Sequence, residues 1–466
     1  MNTVGDLRTA VDGRLLTEAS GEQFAAQVVA MPVGPITTDS RRVEAGDVFW
    51  ALRGPNHDGA NFAVEAFRRG AVGAVVDRRI DVPDDTWAVE VDDTHQALRR
   101  WAAYKRRHFP GTVIGVTGSV GKTTARQMIH CVLQIRLNGT ASPRNYNNHL
   151  GVPLSMFAMR PDHDYAVLEL GANRAGEIAS LARLCAPKVG VITQVGDAHL
   201  GGFGSRRGIA QAKAELLAEL PVDGRAILGD DPWLRSVAEQ CDAPITWVGE
   251  SSDCDFRATD IQSEHGRLSF LVAGHKFCVP VWGRHHLIAA LLAVATGRSM
   301  GFDFDEMADA LEDFQPMAMR CEVREIRGAT VINDTYNSSP TAMQAALELI
   351  GDFDASGRRI VVCGDMAELG ETAPALHWQM GRHVVHDGRA ELLIACGQFA
   401  RHVTAGARAT GMPQARAIPC RDVDEAMPLL GQAILPGDVV LIKGSRMMEM
   451  ERLVAALETY PQRRSA

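Results

Sequence analysis

The chain has 466 residues, a length that suggests about three domains. Hydrophobic residues make up 46% and charged residues 23%, as in ordinary soluble globular proteins, and the net charge of -9 argues against a nucleic-acid partner, which would favour a strongly basic surface. Nine cysteines are scattered without a C-x-x-C pair, which disfavours a zinc knuckle or redox couple and fits a reducing cytosol.

The N-terminal segment MNTVGDLRTAVDGRLL carries acidic residues early and lacks an apolar core, so it is not typical of a signal peptide. The longest apolar stretch, LIAALLAVATG from Leu287, is too short to span a bilayer. We therefore expect a cytoplasmic protein without membrane insertion, and we expect it to be a monomer.

Short elements fill the first hundred residues. The run DVFWALRG predicts a strand, ANFAVEAFRRGA predicts an amphipathic helix ending at Gly70, and AVGAVVD predicts a buried strand. From TWAVEV to YKRRHF the sequence predicts helix up to Pro110. A first domain over residues 1–109 follows.

From Gly111 the chain alternates between strands and helices. TVIGV predicts a strand and KTTARQMIHCVLQ a helix, while YAVLELG and KVGVITQVG are apolar runs typical of strands buried on both faces of a parallel sheet. A helix-rich stretch from Arg284 to Phe314 closes this part. Residues 110–316 are therefore predicted to form a doubly wound α/β domain with a phosphate loop.

A second α/β unit is predicted after Arg320. Its strands are TVINDTY, RIVVCGD, ELLIACG and DVVLIKG, and Pro340 marks the start of one of the intervening helices. We expect a Rossmann-like C-terminal domain over residues 317–466.

The stretch GVTGSVGKTT, from Gly115 to Thr124, ends like a phosphate-binding loop. The generic pattern G-x-x-x-x-G-K-[ST] has a glycine where this chain has Val116. The strand before the stretch and the helix after it still favour a phosphate site over a simple glycine turn, because loop amides and a helix N-terminus attract anions. Lys122 would then reach the terminal phosphates and the Thr123 hydroxyl would meet Mg²⁺.

Three further polar residues have two readings each. Glu169 lies near the carboxyl end of a strand, where ligands gather and a carboxylate can hold Mg²⁺. His199 follows another strand on a glycine-rich loop and is either a surface residue or a ligand. Lys213, in QAKAELL, is either a solvated charge or a site residue; beside Mg²⁺ it would have to become neutral or be modified, because like charges repel.

These segments together resemble the Mur ligases of peptidoglycan synthesis, in order and over nearly the whole chain. The motifs that carry the resemblance are DSRRVEAGDVFWALRGPNHDG, TGSVGKTT, NYNNHLGVP, LELGANRAGEIA, AHLGGFGS with Lys213, NDTYNSSP, GDMAELG and VLIKGSR. They are most similar to members that add D-alanyl-D-alanine to a UDP-muramoyl tripeptide. The loop of this family, G-x-T-G-[ST]-x-G-K-[TS], also accommodates Val116.

The resemblance implies an ADP-forming, ATP-dependent amide ligase of cell-wall biogenesis that acts through an acyl phosphate. The first domain would bind the UDP-muramoyl peptide, the second would bind ATP, and the third would complete the ligase site. The nucleotide-binding residues that it implies are Thr117, Gly118, Ser119, Val120, Gly121, Lys122, Thr123, Thr124, His285, His286, Arg320 and Asp334. Two Mg²⁺ ions would be served by Thr123, Glu169, His199 and a carbamylated Lys213.

The resemblance also implies catalytic and substrate-binding residues. The catalytic set is Lys122, Lys213, His199 and Asn147. The substrate-binding set is Ser40, Arg41, Asn148, Asn337, Ser338 and Lys443. No nucleic acid is implied as a partner.

Two positions depart from the family pattern. The usual H-N-x-x-N reads His285-His286-Leu287-Ile288-Ala289 here, so both adenine-seating asparagines are replaced and we expect weaker base discrimination. The usual Asn-Ala-Asn-Pro reads Asn337-Ser338-Ser339-Pro340, near the expected dipeptide site.

Three alternatives stand beside this reading. A sibling Mur ligase adds the third stem-peptide residue, but its Asp-Tyr-Ala-His and Asp-Asn-Pro-Arg runs are missing here. A folate-polyglutamate ligase shares the loop but lacks a UDP-binding domain. An ATP-hydrolysing switch or scaffold would release phosphate without either substrate. The sequence does not decide whether the tripeptide ends in lysine or diaminopimelate.

Overall fold

The computed structural model describes residues 2–17 and 22–459. The outer ends of the expected first and third domains, residue 1 and residues 460–466, lie outside the described residues. By Cα proximity the chain divides into two compact units, one of residues 1–115, 137–170 and 180–187 and the other of residues 116–136, 171–179 and 188–466. Its strands form three sheets of five, nine and six strands.

The five-stranded sheet has the order β1-β5-β4-β3-β2, in which only β1 runs antiparallel to its neighbour. Its apolar clusters contain large aromatic side chains such as Trp50, Trp87 and Trp101, all fully buried. The elements of this part are α1 (Val4–Val11), β1 (Arg14–Leu16), α2 (Glu22–Ala30), β2 (Ile36–Thr37), β3 (Val48–Trp50), α3 (Ala63–Arg68), β4 (Gly73–Val76), β5 (Trp87–Glu90) and α4 (Thr94–Arg107).

One element of this part differs from the sequence prediction. The run TWAVEV was predicted to be helical, but Trp87–Glu90 is the strand β5. It pairs with both β1 and β4, and its Trp87 and Val89 side chains enter the core. Pairing on both edges and burial of these β-favouring residues override the helical signal of the sequence that follows. The helix α4 begins only at Thr94, capped by the Asp93 carboxylate.

The nine-stranded sheet has the order β14-β13-β12-β11-β10-β9-β6-β8-β7. Strands β9 to β12 pair in parallel, whereas β12, β13 and β14 form an antiparallel extension that was not predicted. The strands are β6 (Thr112–Thr117), β7 (Gly139–Ala141), β8 (Tyr165–Glu169), β9 (Val189–Ile192), β10 (Arg225–Gly229), β11 (Ile245–Gly249), β12 (Phe256–Glu264), β13 (Arg267–Val272) and β14 (His275–Val279).

The helices of the same stretch are α5 (Lys122–Leu133), α6 (Gly151–Phe157), α7 (Glu177–Cys185), α8 (Leu200–Phe203), α9 (Arg206–Ala218), α10 (Pro232–Arg235), α11 (Leu287–Ser299) and α12 (Phe304–Glu312). Helix α11 contains the longest apolar run and is buried almost throughout. Across residues 2–17 and 22–459, none of the helices combines the length and the apolar character needed to cross a membrane.

The six-stranded sheet has the order β15-β16-β20-β17-β18-β19 and is parallel except for β15. Two apolar clusters, one on each face, account for the near-continuous apolar character of its strands. The elements are β15 (Glu322–Ile326), β16 (Ala329–Asp334), α13 (Pro340–Asp352), β17 (Arg359–Cys363), α14 (Ala373–His386), β18 (Leu392–Cys396), α15 (Ala400–Ala409), β19 (Ala417–Cys420), α16 (Val423–Ala433), β20 (Val439–Lys443) and α17 (Glu451–Thr459).

Candidate active site

The phosphate loop joins β6 to α5 and is shaped by two glycines with positive φ. Gly118 has φ +143° and Gly121, the residue before α5, has φ +79°. A Cβ added to Gly118 would lie 1.9 Å from Thr193 Oγ1, so only glycine fits. The Thr193 hydroxyl donates to the Val120 carbonyl at 2.6 Å, which ties the loop to the end of β9. Val116, the departure from the generic pattern, is a fully buried residue of β6.

Lys122 closes this loop from its C-terminal side. Its Nζ donates to the carbonyls of Gly118 at 2.8 Å and Ser119 at 3.3 Å. The Ser119 N–H donates in turn to the Gln194 carbonyl at 2.9 Å. The Ser119 hydroxyl is buried with no hydrogen-bond partner. Because the loop is fixed on both sides, it is formed before any anion arrives.

Arg320 reaches this loop from the segment before β15. Its Nη2 donates to Thr123 Oγ1 at 3.0 Å, and its guanidinium stacks 4.1 Å from the centre of the Tyr336 ring. Its Nε is buried without a hydrogen-bond partner. A buried guanidinium N–H without an acceptor is costly, and an anionic ligand would satisfy it.

Two neighbouring strands of the six-stranded sheet end in a buried ion pair. Asp334 ends β16, Lys443 ends β20, and the two residues are register partners. Lys443 Nζ lies 2.5 Å from Asp334 Oδ2 and 3.0 Å from the Asn337 carbonyl. Asn337 Oδ1 accepts from the N–H of Ser338, whose own hydroxyl is buried without a partner.

His285 and His286 form the turn that precedes α11, with ring centres 4.1 Å apart. Burial lowers the pKa of His285 to about 4, even though solvent reaches part of the residue, and lowers the pKa of His286 well below its usual value. His285 Nε2 lies 3.6 Å from Cys321 Sγ.

Lys213 is a buried residue of α9, only 2% exposed. Its Nζ lies 5.3 Å from the centre of the Phe203 ring. Burial, followed by the positive charge of Lys122, lowers its pKa to about 7, against a smaller opposing effect of Glu215 and Glu177. The amine is thus about half neutral at pH 7, so it is no ordinary solvated lysine.

His199 adopts the left-handed conformation, with φ +60°, immediately before α8. Its Nδ1 contacts the Glu368 carboxylate, and this bond lowers the pKa of Glu368. The nearby Glu215 carboxylate is held by the N–H groups of Gly176 and Ala179, at 2.6 and 3.0 Å. Glu215 therefore caps the start of α7.

The other compact unit contains the pair Asn147 and Glu169. Asn147 Nδ2 donates to Glu169 Oε1 at 2.8 Å, and Glu169 is 1% exposed at the end of β8. Asn148 Oδ1 accepts from the N–H groups of Leu150 and Gly151, at 3.1 and 2.8 Å. The Asn148 side chain therefore satisfies two N–H groups at the start of α6.

Ser40 and Arg41 lie in a single-turn helix after β2. Arg41 makes two 2.9 Å contacts with the Asp39 carboxylate, which lower the pKa of Asp39 to about 2. The Arg41 side chain is 82% exposed. A guanidinium that is ordered and exposed in this way is available to an anionic ligand.

A cavity of about 440 Å³ adjoins Pro340. An ion pair between Arg206 and Asp197, with Nε and Oδ1 2.6 Å apart, contributes one charge of each sign to its wall. Thr341 accepts the Asp197 N–H at 3.1 Å. The remaining lining is mostly α13 and α14, with Met343, Met366 and Met380 among its apolar residues.

The structure thus assembles Lys122, Thr123 and Arg320 at the phosphate loop, and His285, Cys321, Asp334 and Lys443 nearby in the same unit. Sequence reasoning did not single out several of the contact residues: Thr193, Arg206, Cys321, Tyr336 and Glu368. Thr193 lies within the predicted strand KVGVITQVG, directly after the end of β9, and Cys321 directly follows the predicted site residue Arg320. Their partners, however, come from distant parts of the chain.

Three family models match the chain. The model described as Mur ligase family, catalytic domain, matches residues 33–106; the Mur ligase middle domain matches residues 116–297; and the Mur ligase, glutamate ligase domain, matches residues 319–446.

Individual relatives match nearly the full length. A UDP-N-acetylmuramoyl-tripeptide--D-alanyl-D-alanine ligase of Bacillus subtilis is 35% identical over 434 residues, with 91% of this chain and 93% of the relative covered. A crystal structure of MurF from Acinetobacter baumannii has a TM-score of 0.85 at 31% identity, with 98% of each chain covered. A MurF ligase from Thermotoga maritima in complex with ADP has a TM-score of 0.77 at 29% identity, with 92% of this chain and 98% of that chain covered.

Proposed function

The chain belongs to the Mur ligase family, and on that premise we propose that it is an ATP-dependent ligase that joins D-alanyl-D-alanine to a UDP-N-acetylmuramoyl tripeptide. The product is the UDP-muramoyl pentapeptide used in peptidoglycan synthesis. The observation that carries the proposal is the 35% identity, over 91% of the chain, with a ligase of that name.

In this proposal each of the three domains has its own role. Residues 1–109 bind the UDP-muramoyl peptide, residues 110–316 bind ATP, and residues 317–466 complete the ligase site. We further propose that the protein acts in the cytoplasm as a monomer. Its substrates are small molecules, and its net charge of -9 supports no nucleic-acid partner.

The residues at the phosphate loop fit a nucleotide phosphate chain. The Ser119 hydroxyl and Arg320 Nε are buried polar groups that lack a partner. Phosphate oxygens are strong acceptors for such groups. The start of α5, at Lys122, and other N–H groups of the loop Thr117–Thr124 would supply further donors, whereas the Ser119 N–H is already bound to the Gln194 carbonyl.

Three of the residues that we propose for Mg²⁺ would offer the oxygen ligands that this ion prefers, namely the Thr123 hydroxyl, the Glu169 carboxylate and a modified Lys213. His199 would offer a nitrogen ligand. Mg²⁺ bound there would neutralise charge on the phosphate oxygens. As a cation Lys213 does not suit this task, but its depressed pKa leaves a neutral amine able to add CO₂, forming an N–C bond and releasing one proton. The resulting carbamate is an anion.

The reaction couples two transfers. The tripeptide carboxylate takes the terminal phosphoryl group of ATP, which gives ADP and an acyl phosphate. The dipeptide amine then forms the new C–N bond, the C–O bond to phosphate breaks, and the amine proton leaves to solvent. Lys122 and Arg320 offset negative charge at the transferred group, and Asn147 orients Glu169 through its 2.8 Å hydrogen bond.

Other residues are proposed to position the three substrates. His285 and His286 contact the adenine, while Asp334, held by Lys443, contacts the ribose. Ser40 and Arg41 bind the uridine nucleotide. Asn148, whose Oδ1 accepts the Leu150 N–H at 3.1 Å, is proposed to contact substrate.

We place the dipeptide beside Asn337 and Ser338, in the cavity that adjoins Pro340. Its Arg206–Asp197 pair offers one charge of each sign to a zwitterionic dipeptide. The apolar side chains of α13 and α14 suit two methyl groups.

A coupled assay of ADP release tests this function. We expect release only when a UDP-muramoyl tripeptide and D-alanyl-D-alanine are both present, with one new amide bond per ADP. A panel of tripeptides ending in lysine or diaminopimelate then identifies the preferred substrate. ADP release that needs neither substrate would indicate a switch instead, and use of a single amino acid in place of the dipeptide would indicate the sibling ligase.

A further inference from the structure

Three potential metal ligands converge where the turn before α11 faces the segment that leads into β15. His285, His286 and Cys321 each offer one ligand atom, and these atoms all lie within 4.8 Å of one another. We propose that this triad binds a transition metal of the Zn²⁺ type and that this site is separate from the Mg²⁺ sites of the ligase reaction.

The spacing of the triad suits a tetrahedral ion. Zn–N bonds of about 2.0–2.1 Å and Zn–S bonds of about 2.3 Å place a nitrogen and a sulfur ligand about 3.6 Å apart around a tetrahedral centre. His285 Nε2 and Cys321 Sγ are 3.6 Å apart. The His286 ring centre lies 4.1 Å from that of His285, and its ligand nitrogen lies within 4.8 Å of the other two ligand atoms. One position is left open to an exchangeable ligand.

The donor types select the metal. Two imidazoles and a thiolate form a set that Zn²⁺, Co²⁺ and Cu⁺ favour, whereas Mg²⁺ prefers oxygen ligands. Binding would displace the Cys321 thiol proton and form a metal–sulfur bond. The displaced proton leaves to solvent, and Asp334 Oδ1, which accepts the Cys321 N–H at 3.2 Å, holds the backbone of this ligand in place.

The residues around the triad carry charges of both signs. A Cβ on Gly283 would lie 2.5 Å from His285 Cε1, so the imidazole packs directly on the Gly283 backbone. Lys443 and Arg320 are the cations nearest to the triad and oppose a dication. The Asp334 carboxylate and the Cys321 thiolate formed on binding offset those two charges.

The site would also act on the nucleotide. Cys321 directly follows Arg320, whose guanidinium contacts Thr123 of the phosphate loop at 3.0 Å. A metal shared by Cys321 and the two histidines would occupy the corner assigned above to adenine. We therefore expect Zn²⁺ to compete with ATP. This consequence rests on the proposed function, whereas metal binding itself does not.

The test titrates metal-free, full-length protein with Co²⁺ alone and follows the thiolate-to-cobalt charge-transfer absorbance. We expect one saturable site in the wild-type protein. Cys321→Ser should abolish the absorbance, and His286→Asn should weaken the affinity by at least about 10–100-fold. The matched control is Cys278→Ser, which removes a partly exposed thiol on β14 and should leave the titration unchanged.

Failure of this test takes a definite form. No charge-transfer absorbance in the wild-type protein, or equal absorbance in Cys321→Ser, would overturn the proposal. If Cys321→Ser does not fold, as judged by near-UV circular dichroism in chelator, His285→Gln and His286→Asn decide, and wild-type affinity in both would overturn it.

A second arm measures ATP dependence in the coupled ADP assay. Zn²⁺ should raise the KM for ATP at least about tenfold without changing kcat, and chelator should reverse the effect. Cys278→Ser should respond like the wild type. If the protein had no ligase activity, the proposed function would fail, but the cobalt titration would still decide whether the metal site exists.

Discussion

The two ends of the proposed nucleotide site are built in different ways. At the phosphate end, backbone groups and glycines define the shape, and Thr193, Gln194 and Lys122 hold the loop in place. At the base end, the shape comes from side chains, namely the two imidazoles of His285 and His286 and the Cys321 thiol. A backbone cradle tolerates few substitutions, whereas a side-chain pocket can change and still hold a purine. Of the two departures from the family pattern, the one within the nucleotide site accordingly lies at the base end.

The largest effect is expected at the phosphate end. Lys122→Ala removes the cation that we propose faces the transferred phosphoryl group, and we expect kcat to fall by about 10²–10³-fold with the fold retained. ADP release measures the change. Lys188→Ala is the matched control. Lys188 lies directly before β9, at the end of that strand away from Thr193 and the phosphate loop, and its side chain is 54% exposed. Near-normal ligation by Lys122→Ala would remove the phosphate loop from the mechanism.

The second prediction concerns Lys213, which lies close enough to Lys122 to feel its charge. Lys213→Ala should lower kcat by about 10–100-fold, the size of effect expected when a residue that supports a bound metal is lost. Added short carboxylates such as formate should restore part of the lost kcat. Lys213→Arg serves as the control, because a guanidinium stays charged and neither adds CO₂ nor leaves room for formate.

The same residue predicts a pH profile. Burial lowers the pKa of Lys213 to about 7, so below pH 7 the amine is protonated and cannot form a carbamate. Wild-type kcat should fall as pH drops through about 7. The residual kcat of Lys213→Ala should not show this fall. A wild-type profile that stays flat from pH 8 to pH 6 would speak against the carbamate.

The third prediction tests the base end directly. The double variant His286→Asn/Ala289→Asn restores the family's pair of asparagines. We expect the ratio of its kcat/KM with ATP to that with GTP to rise about tenfold, because one well-placed hydrogen-bonded base contact gives discrimination of about this size. The kcat with ATP should stay within about twofold, because the phosphate end is unchanged. An unaltered preference would mean that these positions do not contact the base.

The smallest effect is expected at Gly283, against which the His285 ring packs. Gly283→Ala places a Cβ 2.5 Å from His285 Cε1 at a φ of +101°, so the ring must shift. We expect the KM for ATP to rise about threefold and the free energy of unfolding to fall by about 1 kcal/mol. ADP kinetics and urea denaturation measure the two effects. A loss as large as that of Lys122→Ala would erase the contrast between the two ends.

The sequence predicted the phosphate loop and most parallel strands because both are local signals. Val116, which breaks the generic pattern, is fully buried in β6, so its apolar character belongs to the strand. TWAVEV was misassigned because pairing on both of its edges, to β1 and β4, is not encoded locally.

The partners of the candidate site residues were not predictable in the same way. Glu368 meets His199 across 169 residues of chain, and Arg320 meets Thr123 across 197. No local pattern indicates contacts at such separations. The sequence therefore identified candidate residues, while their neighbours, including Cys321 beside His285, required the structure.

The buried pair formed by Asp334 and Lys443 has a consequence for biosynthesis. The two residues are 109 positions apart, yet they end adjacent strands of one sheet. A ribosome adds roughly 5–20 residues per second, so Lys443 is synthesised roughly 5–20 s after Asp334. A nascent chain can thus complete its phosphate loop long before this ion pair exists, which delays any turnover until translation is nearly finished.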